Sequence, residues 1–157
     1  MNIKFLNKIR YAFNLKFEQQ VWVVYFFAAS FFVWLTLRFT TMQTLANMMG
    51  ESLENRQACS LADKNQVKTA SIMGSLMQKV ARNVPWGSQC MAQALCVKWL
   101  LNRYKIPSVF YLGALIESPN QTMKAHAWID VKQQTIIGAP QHKNYHIVGT
   151  FITFSFN

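Results

Sequence analysis

Acidic residues are scarce in this chain. Six Asp and Glu stand against sixteen Lys and Arg, a net charge of +10 over 157 residues. That balance turns attention from cationic partners to anionic ones: nucleic acid, a lipid surface or an acidic peptide. No nucleic-acid motif and no dense basic run is present, so no nucleic-acid partner is expected. Cysteine is also sparse. The three thiols, Cys59, Cys90 and Cys96, cannot all pair. Cys90 and Cys96 lie six residues apart on one predicted helix, about 9 Å of rise, so a bridge between them would break it. There is no C-x-x-C and no Cys/His cluster with zinc spacing, so no metal and no cofactor are expected. An odd, sparse count fits a reducing compartment, and the expected location is cytoplasmic.

What the chain does have is apolar residues, 52% of the total. A core is within reach and wholesale disorder is excluded. The length admits one domain, or a small domain plus an extra segment. We divide it into a hydrophobic N-terminal helical segment, residues 1–50, and a folded domain, residues 51–157.

Met1 to Lys16 reads as a basic amphipathic helix. Ile3, Leu6, Ile9 and Phe13 recur at helical spacing among Lys4, Lys8, Arg10 and Lys16. Gln19 to Leu37 carries no charge and is apolar on nearly every face. These nineteen residues make about 28 Å of helix, close to the hydrocarbon thickness of a bilayer. Two features weigh against a simple span. Gln19, Gln20, Ser30 and Thr36 soften the run. A basic N-terminal flank kept inside would also send the Cys90 region to an oxidising space. The reading favours a helix buried in the protein or lying at a membrane surface. Thr40 to Gly50 continues as a helical tail. Asp63 or Ser60 caps a second helix with an apolar stripe from Val67 to Val80, and Pro85 ends it.

At Trp86-Gly87-Ser88-Gln89-Cys90 a thiol opens a helix. Gly87 allows a tight turn and Ser88 is a good N-cap, which makes Gln89 and Cys90 the first helical residues. Ala94, Val97 and Leu101 share the face of Cys90, while Gln93, Lys98 and Asn102 read as more exposed. First-turn N–H groups and the helix dipole stabilise thiolate over thiol. The same N–H groups suit a developing oxyanion, and Gln89 is a candidate side-chain donor. Cys96 reads as a small buried hydrophobe. Taken alone, a helix-start cysteine is more often structural. The partner that changes this is His126, 36 residues on. Lys124 to Val131 alternates, with Ala127, Ile129 and Val131 on one face and His126, Trp128 and Asp130 on the other. Val109 to Ile116 and Phe151 to Phe156 read as further strands, and Gln133-Gln134 as a turn into Thr135-Ile136-Ile137.

Helix-borne Cys and strand-borne His are the core of papain-like and transglutaminase-like folds, so the expected class is α+β: a helix packed on a small antiparallel sheet. Four pieces make the resemblance specific. They are Cys90 with Leu95, the run from Leu100 to Pro107, Leu112-Gly113, and Ala125-His126-Ala127-Trp128-Ile129-Asp130. As a set they resemble the lasso-peptide B-protein family, over about residues 80 to 140. The resemblance implies a transglutaminase-like cysteine peptidase that cuts the leader from a ribosomally made lasso precursor. It implies Cys90 as nucleophile, His126 as base and Asp130 as a supporting acid. It further implies three partners: the precursor peptide, a small leader-recognition protein and an ATP-using cyclase. Such proteins usually carry an aspartate on the strand after the histidine strand. The matching position here is Gly138, and neither Gly138 nor Ala139 has a side chain that orients a ring. Asp130 lies four strand residues from His126, roughly 13 Å away. A Cys–His dyad therefore stands beside orientation by a backbone carbonyl, or by Gln141 or Asn144. His142 and His146 read as surface residues. Acyl transfer to an amine, a catalytically weak scaffold and a membrane-anchored binding protein are the competing functions.

Overall fold

The computed structural model describes residues 15–39, 51–52, 61–117, 122–139 and 144–153. Residues 1–14, the tail at 40–50, Cys59, Ser60, the loop at 118–121, Gln141 and His142 lie outside the described residues. Among the described residues three helices pack with an antiparallel sheet. Chain order is α1 (Phe17–Phe39), β1 (Glu51–Ser52), α2 (Lys64–Ala81), α3 (Cys90–Arg103), β2 (Ser108–Glu117), β3 (Thr122–Val131), β4 (Gln134–Ile137) and β5 (His146–Thr153). The sheet order is β1-β5-β2-β3-β4, with every pair antiparallel. The α+β class expected from the pattern is what the chain adopts.

One core joins all three helices to the sheet. Ala127, Ile129 and Val131 of β3 and Phe110 of β2 enter it from the sheet, and Ala94, Leu95, Cys96, Val97 and Leu101 enter it from α3. Trp22, Phe26, Ala29 and Val33 enter it from α1. Their spacing of three or four residues places them on one stripe of that helix. The Trp22 indole N–H donates to the Tyr104 hydroxyl at 2.8 Å, tying α1 to the end of α3. α1 is therefore part of the packed body.

The helix ends follow local chemistry. Asp63 caps α2 by accepting from the Gln66 amide, while the Gln66 side chain accepts from the Asp63 amide. This reciprocal pair satisfies two donors that the first turn leaves open. α2 stops at Ala81 with Arg82 as its cap, just before Pro85, as expected. Lys105, in the left-handed region at φ 53, ends α3 ahead of Ile106-Pro107.

Two local expectations need correction. The last strand starts at His146, five residues before Phe151, because β2 offers a full-length edge and pairs from Ser108↔Thr153 to Ala114↔His146. Tertiary pairing overrides the weak strand pattern of His146 to Gly149. His146 is exposed there. Lys98, expected in solvent, is 1% exposed. α3 is packed on by α1, by α2 and by β3, so its middle has no water-facing side to give a lysine. The Lys98 ammonium lies 6.0 Å from the Phe110 ring centre, and burial lowers its pKa to about 8.

Candidate active site

Cys90 is the first residue of α3. Gln89, extended at φ −69 and ψ 162, is the cap, and it makes no side-chain capping bond. The expected cap, Ser88, stands one residue too early. Gly87 turns the chain at φ 69, and the Ser88 hydroxyl is buried without a hydrogen-bond partner. The first intrahelical bond runs from the Gln93 amide to the Gln89 carbonyl at 3.0 Å. The amides of Cys90, Met91 and Ala92 come before it and are the open donors of the helix start. Gln93 reaches back from the next turn, its side-chain amide donating to the Ser88 carbonyl at 2.7 Å. This braces the segment that presents the thiol.

Trp86 anchors that segment from the other side. Its ring lies 5.0 Å from Phe27 and 5.2 Å from Phe31, both edge-on, so α1 buttresses the approach to Cys90. Such pairs add about 0.5–1.5 kcal/mol each beyond area burial.

His126 stands on β3, opposite Gly113 of β2. The Trp128 ring centre is 6.0 Å away and the Tyr145 ring centre 5.1 Å away, both at shallow angles. Gly113 makes room for this stack. A Cβ there would come within 2.7 Å of both the Trp128 ring and the Tyr145 Cβ. His126 Nε2 lies 2.9 Å from the Gly138 carbonyl oxygen. A carbonyl only accepts, so Nε2 carries the proton and Nδ1 is the basic nitrogen. The residue that stands where an orienting aspartate was expected thus holds the ring with its main chain. Gly138 is also required by geometry. Its φ is 84, and a Cβ would fall 2.6 Å from the Ala127 carbonyl oxygen and 2.7 Å from the Trp128 Cβ.

The two halves meet at a cavity of about 460 Å³. Gln78, Ala81 and Arg82 at the end of α2 form one wall. Ser88, Cys90 and Gln93 form the second, and His126 with Ile137 and Gly138 forms the third. The pairing of β4 with β3 runs from Val131↔Gln134 to Ile129↔Ile137 and brings Gly138 alongside the β3 segment that carries His126. A second cavity, about 400 Å³, lies on the far side of the Ser88–Gln89 step, with Trp34, Arg38 and Trp86 in its walls. Gln89 lines this second cavity and not the one holding Cys90. Asp130 lines neither; it pairs with Val109 four residues along β3. Asn144 is exposed and lines neither.

Two contributors escaped the sequence reading. The polarity of Gln93 predicts a solvent position, although its i+3 spacing from Cys90 is a usable signal. Tyr145, in the short stretch before β5, offered none. Among the described residues no three His, Cys, Asp or Glu side chains gather as a metal site. Cys96 faces the core, where burial pushes its thiol up to about 12.

A thiol at a helix start and an imidazole with a fixed tautomer line one cavity. This is the equipment of nucleophilic acyl chemistry. Compared with known proteins, residues 33–150 match the family model described as the transglutaminase-like superfamily. No curated protein and no solved structure matches the chain.

Proposed function

This chain belongs to the transglutaminase-like superfamily. From that membership together with the resemblance carried by residues Cys90 to Asp130, we propose that it is a cysteine peptidase removing the leader of a ribosomally made lasso precursor. The observation that carries the chemistry is the shared cavity of Cys90 and His126, with the ring held by the Gly138 carbonyl. In this reading His126 Nδ1 takes the Cys90 proton and the sulfur attacks the scissile carbonyl. The open amides of the first turn hold the oxyanion, and the Gln93 side chain keeps their segment in place. The C–N bond breaks as His126 returns the proton to the leaving amine. Water, activated by the same nitrogen, then cleaves the thioester to a free acid and restores the thiol.

The lasso assignment is supported by the residues quoted from Cys90 to Asp130. It brings with it a small leader-recognition protein and an ATP-using cyclase as partners. The need for a reduced thiol supports a cytoplasmic setting. Arg82 at the cavity wall and the net charge of +10 suit an acidic leader or partner.

The test is mass spectrometry of a precursor encoded beside this protein, incubated with the chain and its partner. Wild type should release the leader as a free acid, and Cys90→Ala should not. A new amide in place of the acid would convert the assignment to acyl transfer. Equal cleavage by both proteins would remove Cys90 from the mechanism. Binding without cleavage by either would leave a scaffold.

A further inference from the structure

α1 has two apolar faces, and among the described residues one of them is packed into the core. Trp22, Phe26, Ala29 and Val33 are in the core. On the opposite side Phe17, Val21, Val24, Phe32, Leu35 and Phe39 are exposed, Phe17 and Phe39 by 81% and 83%. Ala28 falls between them and is also exposed. The stripe runs the whole 23-residue helix, roughly 34 Å, without a polar side chain on its centre line. Exposed apolar surface of this extent marks a docking face.

We propose that α1 lies in the plane of an anionic lipid bilayer, its outer face in the acyl boundary and its inner face in the protein core. The occupant follows from three observations. Protein partners meet a surface through an apolar centre with a polar rim and regular hydrogen bonds, and this stripe supplies no polar group along its length. Cations stand at its two ends, Lys16 just before the helix and Arg38 in its last turn, against the single acid Glu18. The sequence before the helix adds Lys4, Lys8 and Arg10, and the total of +10 opposes a second copy while favouring anionic headgroups. A transmembrane orientation would strip Trp22, Phe26, Ala29 and Val33 from the core. Trp86, next to the cysteine segment, packs on Phe27 and Phe31 of the same helix. Docking therefore places the segment that leads into Cys90 against the membrane-bound helix.

The experiment is flotation of the full chain with vesicles of equal parts phosphatidylcholine and phosphatidylglycerol, and with phosphatidylcholine alone. The comparison protein carries Val24→Glu and Phe32→Glu, both at exposed positions. Val24→Ser with Phe32→Ser serves if its thermal unfolding shows that the charged pair disturbs the fold. Wild type should float with the anionic vesicles at least tenfold better than with the neutral ones. The variant should lose at least tenfold, and alkaline carbonate should strip the wild type from the lipid. Failure of wild type to float, or equal flotation of the variant, would overturn the proposal. Retention after carbonate would replace it with a span. A wild-type dimer in the absence of lipid, broken by the same substitutions, would assign the face to a second copy. None of these outcomes depends on the peptidase activity.

Discussion

The first turn of α3 and its interior each carry a cysteine and a polar side chain, and they use them for opposite ends. Cys90 opens on a cavity, and Cys96, six residues later, is fully enclosed with its thiol pushed up to about 12. Gln93 turns its amide back onto the Ser88 carbonyl, whereas Lys98 is sealed beside Phe110. Residue type does not separate the two cysteines, and polarity does not separate Gln93 from Lys98. What separates them is how many sides of the helix are covered at each level, and whether backbone donors are still open.

The sharpest way to break this comparison is to exchange the thiols' roles. Cys90→Ala should abolish turnover, by about 10³-fold or more, because it removes the thiol that lines the cavity beside His126. Cys96→Ala should keep turnover and lose about 1–2 kcal/mol of stability through a small cavity. In native protein iodoacetamide should label Cys90 and leave Cys96 until unfolding. Equal labelling of the two would end the distinction.

The ring opposite the first turn comes next. His126→Ala should cost about 10²–10⁴-fold in kcat/KM. Gly138→Ala should cost less, roughly 10-fold or more, by displacing the carbonyl that holds Nε2, and about 1–3 kcal/mol of stability from the strained φ and the crowded Cβ. A Gly138→Ala protein with full activity would show that the carbonyl does not position the ring.

For the interior, Lys98 gives a pH test. Its pKa in the fold is about 8, against an ordinary 10.5, and the cause is burial. The penalty for burying the charged amine is fully present below about 8. It fades as pH rises from 8 to 10.5, because the folded form loses its proton first. Relative to Lys98→Met, wild type should gain up to about 3 kcal/mol between neutral pH and 10.5, read by urea unfolding. A constant difference would mean that the amine is solvated. At the helix start, Gln93→Ala should give a roughly 10-fold loss in kcat from a loosened cysteine segment. Gln89→Ala, on the neighbouring cavity, should be near neutral. Reversal of that order would return the oxyanion role to Gln89.

Much of this was legible in the sequence, and the misses have a common cause. Strand alternation in Lys124 to Val131 separated the core residues Ala127, Ile129 and Val131 from the His126 side, and the Asp63 cap followed from helix-start chemistry. The α+β class came from strand and helix periods together with the resemblance. Periodicity reports one solvent face per helix, so it failed where α3 has none, at Lys98. It also failed at Gln93, whose polarity serves a neighbouring carbonyl in place of water. The cap falls at Gln89 and not at Ser88, a one-residue difference below what residue preferences resolve. Gly138 was read by its missing side chain, and a main-chain contact leaves no trace in residue type.

The carbonyl at Gly138 has a consequence for how this site can change over time. An orienting aspartate can be deleted by one codon change, because its function resides in atoms that the genetic code chooses. Every amino acid carries the carbonyl that takes that role here. No substitution at position 138 can delete the acceptor; it can only misplace it. The vulnerability is therefore transferred from chemical identity to shape, and the residues that guard it are those that keep the backbone close: Ala127, Trp128 and Gly138 itself.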